Sequence, residues 1–259
     1  MERSVLTGKK GKVTIITLNV PQKLNSLEKT VRIELKSALA QFHNDETSRA
    51  AVLTGRGKAF SAGGALEELK GGMDAVTGVG LMADYGEIVT AIENLEKPIV
   101  AAVNGIAVGA GLSLVLACDI VIAASDAVFA AVFSKVGLVP DMGATYYLPR
   151  AVGMHRAKEL IFTSRMIKAE EARQMGIVNR VVDPDELENR ACDLAQQLAE
   201  GPGFAFGLTK KILARSLESS LRDMLQHETY AQPICFESHD HKEGVRAFYE
   251  KRKPAFKGK

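Results

Sequence analysis

Two short glycine-bearing segments and one acidic residue carry the chemistry legible in this chain. The first segment is Lys58-Ala59-Phe60-Ser61-Ala62-Gly63-Gly64-Ala65-Leu66, and the second is Gly105-Ile106-Ala107-Val108-Gly109-Ala110-Gly111. Small residues let a backbone approach a ligand closely, and a helix start leaves N–H groups without intrahelical partners. Two such turns from different strands could aim two N–H donors at one oxygen, where losing one donor costs about 10²–10³ in rate. Either segment alone suits a tight turn or close helix packing equally well. No Lys-Ser/Thr pair follows either segment and neither spells a dinucleotide fingerprint, which argues against a phosphate cradle. Asp141 follows Pro140 in Gly137-Leu138-Val139-Pro140-Asp141-Met142-Gly143. By position alone it reads as the cap of a helix over residues 142–147.

The remaining reactive side chains suggest less. Of the five histidines, His239-Asp240-His241 with Cys235 nearby has no helical or zinc-finger ligand spacing, so the set reads as solvated surface rather than a metal site. Cys118, Cys192 and Cys235 are far apart and odd in number, as expected of reduced thiols. Asp119, after Cys118, reads as structural, holding a strand start. A net charge of +2 and the lack of an aromatic stacking pattern argue against nucleic-acid binding. The sequence starts with no signal-peptide pattern, and the cytoplasm is the expected location. The longest apolar stretch, Ile99 to Ala117, is broken by Gly105, Gly109 and Gly111 into strand, turn and helix start, which excludes a membrane span there.

These residues need elements to hold them. Val13 to Leu18, Ala50 to Thr54, Ile99 to Val103, Ile120 to Ala123 and Val128 to Ala130 read as strands. Leu27, Val31, Leu35, Leu39 and Phe42 recur at helical spacing, with Ser26 available as the cap. Gly71 to Gly80 reads as a mobile surface loop that shapes a pocket, and a helix resumes through Ile88, Ile92 and Leu95. Strand–turn–helix units thus recur, and apolar strands imply an α/β fold buried on both faces. With 259 residues, 46% hydrophobic, the chain can bury a large core. After Val182 the pattern is helical, and Gly201-Pro202-Gly203 marks a boundary between a core over 1–200 and a helical piece over 201–259. A helical appendage of that size buries little alone, so it is expected to pack on a neighbouring subunit.

Six blocks, in order, carry a resemblance along essentially the whole chain: Gly57 to Gly63, Lys97 to Gly105, Ala117 to Ile120, Val136 to Asp141, Leu148 to Gly153, and Phe248 to Lys253. The chain resembles the crotonase (enoyl-CoA hydratase/isomerase) family. That resemblance implies a spiral of repeated ββα units with a helical C-terminal trimerisation region, as a homotrimer or a homohexamer built as a dimer of trimers. It also implies an acyl-CoA thioester whose oxygen sits between two backbone N–H groups, here those of Gly64 and Ala110. The family most often has Ala at the first position and Gly at the second, so both are exchanged here, and Ala65 stands where many members have Asp. Ala62 and Leu66 of the first turn fall among the substrate-binding positions. Lys23 and Leu24 align with the loop that meets CoA near its adenine, and Phe248 and Lys251 with a tail that reaches a neighbour's CoA.

The resemblance also bears on the reaction. Family hydratases use two glutamates, and this chain has Ser113 and Phe133 at those positions, neither of which is a base near neutral pH. In isomerase-type members an acid stands where Asp141 stands, and one carboxylate can move a proton between two carbons on one face of an enolate. Phe133 and Leu138 would then line a dry pocket that raises the Asp141 pKa. The expected activity is an acyl-CoA isomerase with no metal and no separate cofactor, CoA being part of the substrate. Hydration through an atypical base, or acyl-CoA binding without turnover, are the alternatives. A dehalogenase-like use of Asp141 as nucleophile fits poorly, since the chain has no Trp and no His near Gly86.

Overall fold

The structure, a computed structural model, describes residues 3–259. A hairpin of β1 (Val5–Lys10) and β2 (Val13–Leu18) leads into α1 (Lys29–Asn44). Three similar units follow: β3 (Ala50–Gly55), β4 (Ala59–Ser61) and α2 (Ala75–Asn94); β5 (Ile99–Val103), β6 (Ile106–Val108) and α3 (Ala110–Ala117); β7 (Ile120–Ala124), β8 (Val128–Ala130) and α4 (Ala144–Val152). Next come α5 (Met154–Thr163), β9 (Ile167–Lys168), α6 (Ala169–Met175) and β10 (Arg180–Val182). Helices α7 (Leu187–Ala199), α8 (Gly203–Leu213), α9 (Leu221–Glu237) and α10 (His239–Tyr249) complete the chain.

In each unit the longer strand joins a six-stranded sheet of order β1-β2-β3-β5-β7-β10, and the shorter one a four-stranded sheet of order β4-β6-β8-β9. Pairing is parallel except for β1 with β2 and β8 with β9. Register follows the unit repeat: Val52 lies opposite Val100, and Val100 opposite Ile120. This is the ββα coil implied by the resemblance. Parallel strands need long crossovers that cover both faces, and β5 accordingly buries all its residues, Ile-Val-Ala-Ala-Val. One face of the large sheet carries α7, which packs on β2, β3, β5 and β7. The core is filled by Phe42, Phe60, Phe129, Leu53 and Ile99. The stretch Ile99 to Ala117 is β5, β6 and α3, broken at the expected glycines. Asp119 holds the start of β5, where its carboxylate accepts from the Ile99 N–H (2.8 Å).

The structure departs from the sequence expectations in three places. Helix α1 starts at Lys29, capped at Glu28 rather than Ser26, and without a side-chain cap. Leu24 and Asn25 adopt left-handed backbone (φ 50 and 55), which carries the chain past Ser26 before a helix can begin. The expected loop over Gly71 to Gly80 is only half loop. Asp74 caps α2 by accepting from Val76 N–H (2.9 Å) and Thr77 N–H (3.1 Å), so Gly78 and Gly80 lie inside the helix. The cap, worth about 1 kcal/mol, offsets a glycine cost of similar size per residue. Finally, Asp141 caps nothing: α4 begins at Ala144 after Gly143, with no side-chain cap.

By length and composition α2 could cross a membrane. It instead packs Tyr85, Ile88, Val89 and Ile92 into the core, while Asp84 and Glu87 pair with Lys36 on α1.

Candidate active site

The first glycine turn leaves β4 at Ser61 and is held on one side by the loop before α1. The Ala62 N–H donates to the Leu24 carbonyl (2.8 Å), the Leu27 N–H to the Gly63 carbonyl (2.8 Å), and the Ser61 hydroxyl to the Asn25 carbonyl (2.8 Å). Asn25 is fully buried: its side chain accepts from Val20 N–H (2.9 Å) and donates to the carbonyls of Ala59 (2.7 Å) and Arg56 (3.0 Å). The predicted substrate loop at Lys23 and Leu24 is therefore laced to the predicted oxyanion turn. After Gly63, at φ +87, comes Gly64, whose N–H has no acceptor in the chain among the described residues.

The second turn is built alike. Gly109 (φ 56, ψ −129) is the cap of α3, and Ala110 is the first helical residue, one whose N–H lacks an intrahelical partner. Each candidate donor thus follows a glycine in backbone that a side chain would strain. The turns abut. A Cβ on Gly63 would lie 2.6 Å from the Val108 carbonyl oxygen and 2.9 Å from the Ala110 nitrogen, and one on Gly111 would fall on the Ser61 carbonyl. Two unpaired N–H groups on touching backbones, one at a helix start, are chemically suited to a negative oxygen.

Asp141 sits in the turn before α4, followed by Met142 in left-handed backbone (φ 48) and Gly143 (φ 77). Its Oδ1 is buried and has no hydrogen-bond partner. Burial pushes its pKa up to about 6 against the weaker opposing pull of its own backbone N–H. Helix α2 connects this turn to the first donor. Gly143 faces Val89, and one helical turn earlier the Tyr85 hydroxyl stands 3.3 Å from where a Gly64 Cβ would be. Burial pushes the Tyr85 phenol up to about 12, with Arg32 opposing and the charges of Glu68 and Asp141 adding to the rise.

The other predicted positions divide. Ser113 is fully buried, and its hydroxyl donates to the Gly109 carbonyl (3.3 Å), within the α3 turn itself. Phe133 is buried, and its carbonyl accepts from Leu138 N–H (3.1 Å). Leu138 and Leu66 stay about half exposed, at 47% and 56%, so one chain does not close the dry wall expected of Phe133 and Leu138. Lys23 pairs with Glu28 (2.5 Å) beside a concavity of about 440 Å³ that also includes Asn19, Pro21 and Arg56. Phe248 lies elsewhere, exposed at the edge of a concavity of about 610 Å³ with Phe236 and Tyr249, and Lys251 follows just past the end of α10. A single chain does not bring Phe248 and Lys251 to the glycine turns. Among the described residues, no group of three His, Cys, Asp or Glu side chains is placed to hold a metal ion.

Sequence reasoning missed Arg32 and Tyr85. The Arg32 side chain, 4% exposed, donates to the Leu27 carbonyl (2.7 Å), Asp84 (2.5 Å) and Glu68 (3.0 Å), and stacks 4.7 Å over the Tyr85 ring. The available signal was a charged residue beside Val31 and three before Leu35, on the apolar stripe of α1.

The family model described as Enoyl-CoA hydratase/isomerase matches residues 8–259. The chain is 38% identical over 251 residues to the short-chain-enoyl-CoA hydratase of Clostridium acetobutylicum, covering 96% of each. It is 39% identical over 250 residues to the 1,2-epoxyphenylacetyl-CoA isomerase of Escherichia coli, covering 95% of each. Among solved structures, the enoyl-CoA hydratase of Bacillus anthracis superposes with a TM-score of 0.94 at 36% identity, covering 99% of this chain and 100% of that one.

Proposed function

The chain belongs to the enoyl-CoA hydratase/isomerase family, and on that premise we propose that it is an acyl-CoA isomerase in which Asp141 carries the proton. The observation behind this reading is the buried, unpartnered Asp141 Oδ1 with its raised pKa, in a chain with Ser113 and Phe133 at the two glutamate positions. The substrate is an acyl-CoA thioester with a displaced double bond. Asp141 removes a proton from C2 of a 3-enoyl thioester, and the electron pair moves onto the thioester oxygen. The Gly64 and Ala110 N–H groups hold that enolate oxygen. The protonated carboxyl then returns the proton at C4, leaving the double bond between C2 and C3 with no change in mass. The step moves one proton and transfers no electrons to an outside acceptor, so it requires neither a metal nor a redox cofactor.

A carboxyl pKa near 6 suits both halves of this cycle, since the group must be ionised to start and able to release its proton afterwards. Lys23 is assigned to a CoA phosphate and Leu24 to the loop beside the CoA adenine, and Ala62, Leu66, Ser113, Phe133 and Leu138 to the acyl and thioester environment. Phe248 and Lys251 are assigned to the CoA of a neighbouring subunit in a homotrimer or homohexamer assembled through residues 201–259.

Hydratase activity is the second reading, favoured by the hydratase names among the relatives. The experiment is incubation with a 3-enoyl-CoA and, separately, a 2-enoyl-CoA, following mass and absorbance. Conjugation of the first without mass change supports the isomerase. Addition of water to the second restores the hydratase, and binding without turnover of either favours a specialised acyl group or a non-catalytic acyl-CoA binding member.

A further inference from the structure

Leu27 occupies a junction that the reaction scheme leaves unused. Its N–H donates to the Gly63 carbonyl (2.8 Å), and that carbonyl belongs to the same peptide group as the Gly64 N–H. Holding one end of a peptide plane fixes the direction of the other, and accepting a hydrogen bond at C=O polarises the N–H. Leu27 is itself pinned. Its carbonyl accepts from the Tyr85 hydroxyl (3.1 Å) and from Arg32 (2.7 Å), and Arg32 is anchored by Asp84 on α2 and by Glu68 just beyond the glycine turn. Arg32 and the Tyr85 ring are both almost fully buried. A buried cation in this position needs its three partners, so the cluster is costly to rearrange.

Tyr85 also crowds the donor residue from its side-chain face, since a Cβ at position 64 would stand 3.3 Å from its hydroxyl oxygen, a few tenths of an ångström too close. Resting on the oxyanion reading of Gly64, we propose that Tyr85 is a positioning residue: with Arg32 it clamps Leu27, sets the Gly63–Gly64 peptide plane that presents the first oxyanion N–H, and crowds any side chain placed at position 64. The phenol stays protonated through the working pH range, so the clamp does not titrate with Asp141.

The test uses a chromophoric thioester, 4-(dimethylamino)cinnamoyl-CoA, whose absorption moves to longer wavelength when its carbonyl oxygen accepts hydrogen bonds. Unmodified protein should bind it with a red shift. Tyr85→Phe should bind it with similar affinity but a smaller red shift, and should lower kcat about three- to tenfold at unchanged KM, the share of one hydrogen bond. Gly64→Ala should also diminish the shift, and adding Tyr85→Phe to it should cause little further loss, because the crowding oxygen is gone. A full red shift retained in Tyr85→Phe, even with a lower unfolding midpoint, overturns the positioning role and leaves the oxyanion reading standing. Additive losses in the double variant do the same. Absence of any red shift with the unmodified protein overturns the oxyanion reading and this inference together. Should Tyr85→Phe not fold, Gly64→Ala examines the same contact from its other side, and an undiminished shift there refutes the proposal.

Discussion

Asp141 is a carboxyl group held where a carboxylate is poorly solvated, and two measurable consequences follow from that one fact. For catalysis, the proposed mechanism starts from the ionised form, so kcat/KM should fall as pH drops through about 6. Asp141→Asn should lower turnover by at least about 10²-fold while leaving CoA-ester affinity nearly unchanged; equal turnover in a direct assay would remove Asp141 from the mechanism. For stability, the folded pKa of about 6 lies above the ordinary 3.8, so the folded state holds the proton more tightly than the unfolded chain does. That contribution is fully present below about pH 3.8 and is lost as pH rises through about 6. Asp141→Asn should therefore stabilise the protein at pH 8 by at most about 3 kcal/mol and not at pH 4, as read by denaturant unfolding.

The glycine turns make the corresponding case for elements, because they separate two kinds of constraint. Gly109 has room for a methyl group, with Val132 at 3.5 Å, but its φ of +56 with ψ of −129 is open to glycine alone. Gly111 has ordinary helical backbone, but its Cβ would meet the Ser61 carbonyl. Gly109→Ala should cost about 1–3 kcal/mol through backbone strain and displace the Ala110 N–H, lowering kcat more than it raises KM. Gly111→Ala should instead push β4 and α3 apart and disturb both donors, with a larger loss of activity and of thermal stability. Helix α2 gives a third case. Asp74→Ala removes the cap that lets Gly78 and Gly80 be helical, and should cost about 1 kcal/mol. Hydrogen exchange should show that loss as faster exchange confined to the first turns of α2; uniform protection would mean that packing, not the cap, holds this end.

At the scale of the whole molecule, the C-terminal helices are the part a single chain leaves unsatisfied. Helix α9 buries none of its side chains, and Leu221, Leu225, Tyr230 and Ile234 along it are all more than half exposed. The tail beyond α10 is nevertheless ordered onto the core. Buried Glu243 gathers Arg246, Arg252 and the Ala255 N–H, Asp240 accepts from the N–H groups of Lys257 and Gly258, and Arg49 holds the Phe256 and Gly201 carbonyls. A region that is apolar outside and firmly fixed inside is suited to binding copies of itself. Leu225→Glu with Ile234→Glu should reduce the sedimenting species to monomer and weaken CoA-ester binding through Phe248 and Lys251. If the unmodified chain already sediments as a monomer, the assembly proposed here is wrong.

The repeating units, five of the ten strands among the described residues and the two glycine turns were legible in the sequence because they depend on local signals: apolar runs, helical spacing and small residues at reversals. Val128–Ala130 and Ile99–Val103 needed nothing more. The start of α2 was also written locally, in Asp74, but the glycines after it masked the cap. What local signals could not reveal is which backbone groups stay unpaired and which side chains meet. Asp141 reads in sequence as a helix cap, and only tertiary packing around the left-handed turn at Met142 and Gly143 buries its Oδ1 without a hydrogen-bond partner. Arg32 and Tyr85 lie 52 residues or more from one partner or the other, and their meeting at Leu27 depends on how α1 and α2 pack. Local sequence sets backbone preferences within a few residues, whereas burial and the pairing of charges are properties of the assembled core.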